Sequence, residues 1–100
     1  MKLIEAIIPP VKLEEVNAAM QHLGVEEIME SEIISHGSTK VENLSYRGAE
    51  YAIDFIKKIK VEMIVADNLV AKVVKTIIDI AKTERKEDCR IFILHFIEAL

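Results

Sequence analysis

The sequence predicts an α+β domain of four strands and two helices in the order strand, helix, strand, strand, helix, strand, and three observations carry that prediction. Two stretches repeat apolar residues at helical spacing, and four others are β-branched or alternating runs. Residues that stop or start elements, Pro9-Pro10, Gly24 and Asp67, stand at the joints. Between the second and third strands, residues 37 to 58 show no clean hydrophobic period, so the chain has one long loop where the others are short. This order is the split βαβ, ferredoxin-like arrangement: a four-stranded antiparallel sheet with both helices on one face. Taken alone it implies no function.

The first strand spans residues 2 to 8 and ends where Pro9-Pro10 removes two ladder donors. From Lys12 to His22, Leu13, Val16, Ala19 and Met20, followed by Leu23, recur at helical spacing. Glu14 and Glu15 sit in the first turn, where the helix dipole favours acids, and Gly24 is the expected stop. Val25 to Ser35 reads as a second strand with poorly separated faces. Ile59, Val61, Met63 and Val65 alternate with Lys58, Lys60, Glu62 and Ile64, which marks a strand with one core face and one largely polar face. Lys58, Lys60 and Glu62 therefore share a row. Asp67 is the expected N-cap of a helix over 68 to 82, whose apolar stripe is Val70, Val73, Val74, Ile77, Ile78 and Ala81. Polar residues 83 to 89 form a loop before a last strand from Arg90 to Ile97.

Length and composition set the class. At 100 residues, 51% hydrophobic and 30% charged, the chain is one globular domain, 1–100. Its formal net charge is −4, and its longest basic cluster is Lys57-Lys58-Ile59-Lys60, which excludes nucleic acid as the main partner. The amino-terminal apolar run carries Glu5 and is too short for a membrane span or a signal peptide, so no direct membrane insertion and a cytoplasmic location are expected. A lone cysteine, Cys89, fits a reducing compartment. His22, His36 and His95 share no ligand spacing, so no metal is expected, and no nucleophile stands with a base, so the chain is not expected to be an enzyme.

The last strand is apolar on both faces, yet two helices cover only one face of such a sheet. At roughly 25 cal/mol per Å² of apolar area, the drive to bury the other face amounts to several kcal/mol, so association through the open face is expected.

Tyr46-Arg-Gly-Ala-Glu-Tyr51, with Asp54-Phe55 and Lys58, resembles the T-loop end of the PII signal-transduction proteins. The resemblance extends to the opening, Met1 to Val16, to Lys60-Val-Glu-Met-Ile-Val65 in the third strand and to Thr76-Ile-Ile78 in the second helix. Ala81-Lys-Thr83 and Arg90-Ile-Phe92 resemble the flanks of the family's B-loop. It implies a homotrimer with sheets facing inward, an adenine nucleotide (ATP, ADP or AMP) in clefts between subunits, and a T-loop, about 37–55, that docks on a transporter or metabolic enzyme. It further implies that Gly37 and Thr39 form the loop base, that Lys58 meets the carboxylate of 2-oxoglutarate, and that Glu62 lies near adenine or ribose. Arg90 takes the place of a phosphate-facing lysine, Tyr46, Arg47, Glu50 and Tyr51 contact the target, and Tyr51 stands where some members are modified with a nucleotide.

Departures from the pattern cluster at the ligand. The three glycines of the family's B-loop, here about 82–90, are Glu84, Glu87 and Cys89, and two carboxylates near a polyphosphate oppose it. Thr39 replaces the glutamine that helps hold Mg-ATP with 2-oxoglutarate, Met29 replaces a threonine at adenine, and two C-terminal arginines of the family fall beyond Leu100. A ligand-independent interaction protein, serving inorganic-carbon or metal transport, is the alternative. Lys58 is then one of a solvated charge row, and Arg85, Lys86 and Arg90 belong to a surface loop compensated by Glu84, Glu87 and Asp88.

Overall fold

The structure, a computed structural model, describes residues 1–40, 51–83 and 89–98, with backbone alone for 37–40 and 51–55. Strand β1 (Lys2–Ile8) leads through a 3₁₀ turn (Pro10–Lys12) into helix α1 (Leu13–His22). Strands β2 (Ile28–Lys40) and β3 (Tyr51–Val65) follow, then a second 3₁₀ turn (Asp67–Leu69), helix α2 (Val70–Ala81) and strand β4 (Arg90–Leu94). The sheet order is β2-β3-β1-β4, and every pairing is antiparallel. This is the expected ferredoxin-like α+β arrangement.

The core lies between the sheet and the two helices. Ile4, Ala6 and Ile8 of β1 and Ile59, Val61, Met63 and Val65 of β3 meet Val16 and Met20 of α1 and Val73, Ile77 and Ala81 of α2. The strand period of two and the helix period of 3.6 put these residues on facing surfaces.

Helix α1 ends as Gly24 predicts. Gly24 has φ +87, its N–H donates to the Gln21 carbonyl, and the Val25 N–H donates to the Met20 carbonyl. These two bonds make a Schellman motif, and Val25 and Met20 are the apolar pair that seals it. Val25 therefore belongs to the helix stop, and β2 starts only at Ile28, three residues later than its apolar character implies.

The stretch after Ser35 differs more. It reads as loop in the sequence, but β2 and β3 stay paired up to Lys40 opposite Tyr51, with Gly37 opposite Asp54 and Thr39 opposite Ala52. Backbone pairing of a two-stranded ribbon needs no buried face, so the absent hydrophobic period did not reveal it.

Two further boundaries move for identifiable reasons. Asp67 does not cap α2: it opens the 3₁₀ turn, the N-cap position is Leu69, and no side chain caps the helix. Pairing of Lys2 with Val65 brings the chain's amino terminus beside Asp67, and its carboxylate accepts from the Met1 α-ammonium at 2.9 Å and from Lys2 Nζ at 3.0 Å. Two cations outcompete a neutral backbone N–H. Strand β4 ends at Leu94 rather than Ile97 because Leu94 pairs with Leu3, and beyond it β1, the neighbour of β4 among the described strands, has only Lys2.

Burial separates the two faces of α2 sharply enough to test. Replacing Ile77, which is fully buried, with alanine is expected to lower unfolding free energy by about 2–5 kcal/mol. Ile78→Ala, at a residue 41% exposed, is expected to change it by less than about 1 kcal/mol. Urea denaturation of both variants at one protein concentration measures the difference.

Candidate functional site

The face of the sheet turned away from the helices collects the polar residues that the sequence singles out. Because the odd-numbered residues of β3 are in the core, Lys58, Lys60 and Glu62 project to the other side, as their alternation predicts. Register extends the row across the sheet. Glu62 lies between Met29 on β2 and Glu5 on β1, and Lys60 lies between Ser31 and Ile7. Beyond β1, Arg90 stands opposite Ile7 and Phe92 opposite Glu5.

Within this face the charges are organised. Lys60 Nζ lies 3.9 Å from a carboxylate oxygen of Glu5 and 3.9 Å from one of Glu62, a Coulombic contact to both that is too long for a hydrogen bond. The Arg90 guanidinium lies 5.4 Å from the centre of the Phe92 ring, within cation–π range. Lys58 is only 8% exposed although neither α1 nor α2 covers its face. A lysine so buried is engaged by its surroundings, and it is not a free cation.

Lys58, Glu62 and Arg90 thus share one face, but β1 separates the first two from the third, and the three do not converge within a single chain. Gly37 and Thr39 extend the same β2 ribbon, and Tyr51 begins β3. Tyr46, Arg47 and Glu50 and most of the expected B-loop, Glu84 and Glu87 included, lie outside the described residues. Cys89 is described: it is half-buried against the core, and burial pushes its thiol pKa up, which makes it a poorer nucleophile.

Apolar residues frame the charges. Met29 is 47% exposed, Phe92 40% and Leu94 39%, all on the open side. The expectation of an apolar second face on β4 holds in the single chain, where that strand also lies at an edge. On the helix side, a groove of about 420 Å³ runs between α2 and β4, lined by Val74, Ile78, Lys82, Thr83, Cys89, Ile91 and Ile93. Sequence reasoning did not find it, because it depends on how far α2 stands from the edge strand.

Among the described residues, no group of three or more His, Cys, Asp or Glu side chains could hold a metal ion. No described helix is long and apolar enough to cross a membrane.

The architecture is that of a small ferredoxin-like α+β domain with an exposed, charge-ordered sheet face. Comparison with known proteins makes the class specific: the family described as "Nitrogen regulatory protein P-II" matches residues 1–100. Proteins of that name from Rhodobacter capsulatus and Bradyrhizobium diazoefficiens are 39% and 42% identical over 100 residues, all of this chain and 89% of each relative. A third, from Microchaete diplosiphon, is 44% identical over 93 residues, or 93% of this chain and 83% of the relative. The chain belongs to the P-II family, whose members are regulatory proteins and not enzymes.

Asp67, at the amino-terminal edge of this sheet, supplies a pH test. The hydrogen bond from the N-terminal ammonium, seconded by Lys2, lowers its carboxyl pKa from 3.8 to about 2. A depressed carboxyl pKa contributes stability above the unfolded value, and that contribution is lost as pH falls through the folded value. Asp67→Asn is therefore expected to melt below the parent at pH 7, with the gap closing between about pH 4 and pH 2. Thermal melts followed by circular dichroism across that range check it.

Proposed function

We propose that the chain acts as a homotrimeric signalling protein that binds an adenine nucleotide in clefts between subunits and regulates a protein target through residues 37–55. The observation that carries this reading is the placement of Lys58, Glu62 and Arg90 on one open, partly apolar sheet face of a chain that matches the P-II family throughout. Alone, the chain spreads these residues over two strands separated by a third. Packing of open faces in a trimer brings ligand groups of one copy next to those of another, and it also covers Met29, Phe92 and Leu94.

In this reading each residue has a chemical task. Arg90, steadied over Phe92, offers a planar fork of donors to phosphate oxygens. Glu62 accepts from the base or from ribose hydroxyls, and Lys58 meets an anionic co-effector such as the carboxylate of 2-oxoglutarate. Gly37 and Thr39 form the base of the loop. Tyr46, Arg47, Glu50 and Tyr51 contact a transporter or metabolic enzyme, and Tyr51 is the candidate for covalent modification. Action in the cytoplasm is part of the same reading.

The residue at 89 favours a second reading. Where a phosphate-cradling loop uses glycine, Cys89 has a side chain packed on the core, and a Cβ there limits backbone approach. A trimer that docks on its target without nucleotide is the outcome in which that restriction dominates.

Calorimetry with ATP, ADP and AMP, each with and without Mg²⁺ and 2-oxoglutarate, separates the two. At least one nucleotide is expected to bind, and Arg90→Ala is expected to weaken it by about ten-fold or more, the loss of one charge-assisted contact. Absence of heat with every nucleotide, with target binding preserved, selects the second reading.

A further inference from the structure

Helix α2 carries more apolar surface than the core uses. Val73, Ile77 and Ala81 are fully buried, whereas Val70, Val74 and Ile78, spaced four residues apart, form a second line that stays partly open. On β4, Ile91 and Ile93 pair with the core residues Ala6 and Ile4, so they lie on the helix side of the sheet, and Ile93 is 52% exposed. The groove of about 420 Å³ between these two lines shares Val74, Ile78 and Ile93 with a second cavity of about 590 Å³, so one apolar trough runs along α2. Its ends differ in charge. Asp67 closes the end where the helix begins, and Lys82 with Thr83 closes the end where it stops. Lys75, also on the trough, is held by Asp79 at 2.9 Å, whereas Lys82 makes no ion pair within 4.0 Å among the described residues.

We propose that this trough binds an amphipathic monocarboxylate, a medium-length alkyl chain ending in a carboxylate, with the chain along Val74, Ile78 and Ile93 and the carboxylate at Lys82. The site lies on the helix side of the sheet, away from Lys58, Glu62 and Arg90 on the open face, and it is independent of the nucleotide reading. Size, wall and charge together select the ligand. The volume falls within the range of small-molecule sites, about 300–1,000 Å³, and the wall is apolar with one cationic end. A ligand with a purely apolar surface would leave Lys82 unused, and a cationic amphiphile would set its head group against a like charge there. Reversing a cationic amphiphile does not help, because Asp67 at the other end is already occupied by the Met1 α-ammonium and Lys2. An anionic head at Lys82, with its tail covering Ile78 and Ile93, satisfies both the charge and the exposed apolar area.

Methyl NMR of the chain labelled at isoleucine and valine, titrated with decanoate below its micelle-forming concentration, tests this. The methyls of Val74, Ile78 and Ile93 are expected to shift saturably, and those of Ile34, an exposed isoleucine on β2, to stay in place. Lys82→Gln is expected to weaken decanoate by about three- to five-fold, the worth of one solvent-facing ion pair. Decyltrimethylammonium, with the same chain and a cationic head, is expected to bind the parent at least about three-fold more weakly than decanoate does. Ile93→Ala is expected to weaken decanoate by about three-fold or more through lost apolar contact. No saturable shift, equal shifts at Ile34, or equal affinity of Lys82→Gln and parent overturns the proposal. Should Lys82→Gln fail to fold, the two amphiphiles on the parent decide, and equal affinity for both overturns it. Shifts of the trough methyls with protein concentration alone assign the trough to a second copy of the chain and likewise overturn it.

Discussion

Strand β3 is the constraint on which the rest of the structure depends. It pairs on one edge with β2 and on the other with β1, so its pleat divides the molecule. Each odd residue from Ile59 to Val65 enters the core under the helices, and each even residue from Lys58 to Ile64 faces the open side. A shift of one residue would exchange Ile59, Val61, Met63 and Val65 for Lys58, Lys60 and Glu62 in the core. The cost of burying those charges holds the register, and the register in turn brings Glu5 opposite Glu62. Core and candidate site are therefore two sides of a single alternation.

The same sheet has an unfinished aspect that connects packing to function. Strand β4 has one neighbour, and two of its apolar side chains, Phe92 and Leu94, lie on the uncovered side. Lys58, Glu62 and Arg90 share that side, with β1 between the first two and the third. Apolar and charged side chains thus share one surface.

Much of the fold was legible from residue pattern. Pro9-Pro10 ended a strand, Gly24 ended a helix with the positive φ that its lack of a side chain permits, and the 3.6 period of α2 identified Val73, Ile77 and Ala81. Where the reading missed, a partner distant in sequence had intervened. Asp67 looked like a cap and was claimed by Met1 and Lys2. β4 stopped at Leu94 because beyond Leu3 β1 had only Lys2 left to offer, and β2 continued to Lys40 because β3 was there to meet it.

The candidate site divides along the same line. Sequence by itself determined which residues share a face, since alternation is a property of the local backbone, and it determined family membership through Tyr46 to Tyr51, Lys60 to Val65 and Arg90 to Phe92. Only the tertiary structure decided what stands beside what. That Lys60 lies between Glu5 and Glu62, that Arg90 rests over Phe92, and that β1 keeps Arg90 apart from Lys58 are consequences of strand order and register. Those are set by long-range pairing and by the packing of α1 and α2 on one face, and no local pattern in the chain encodes either.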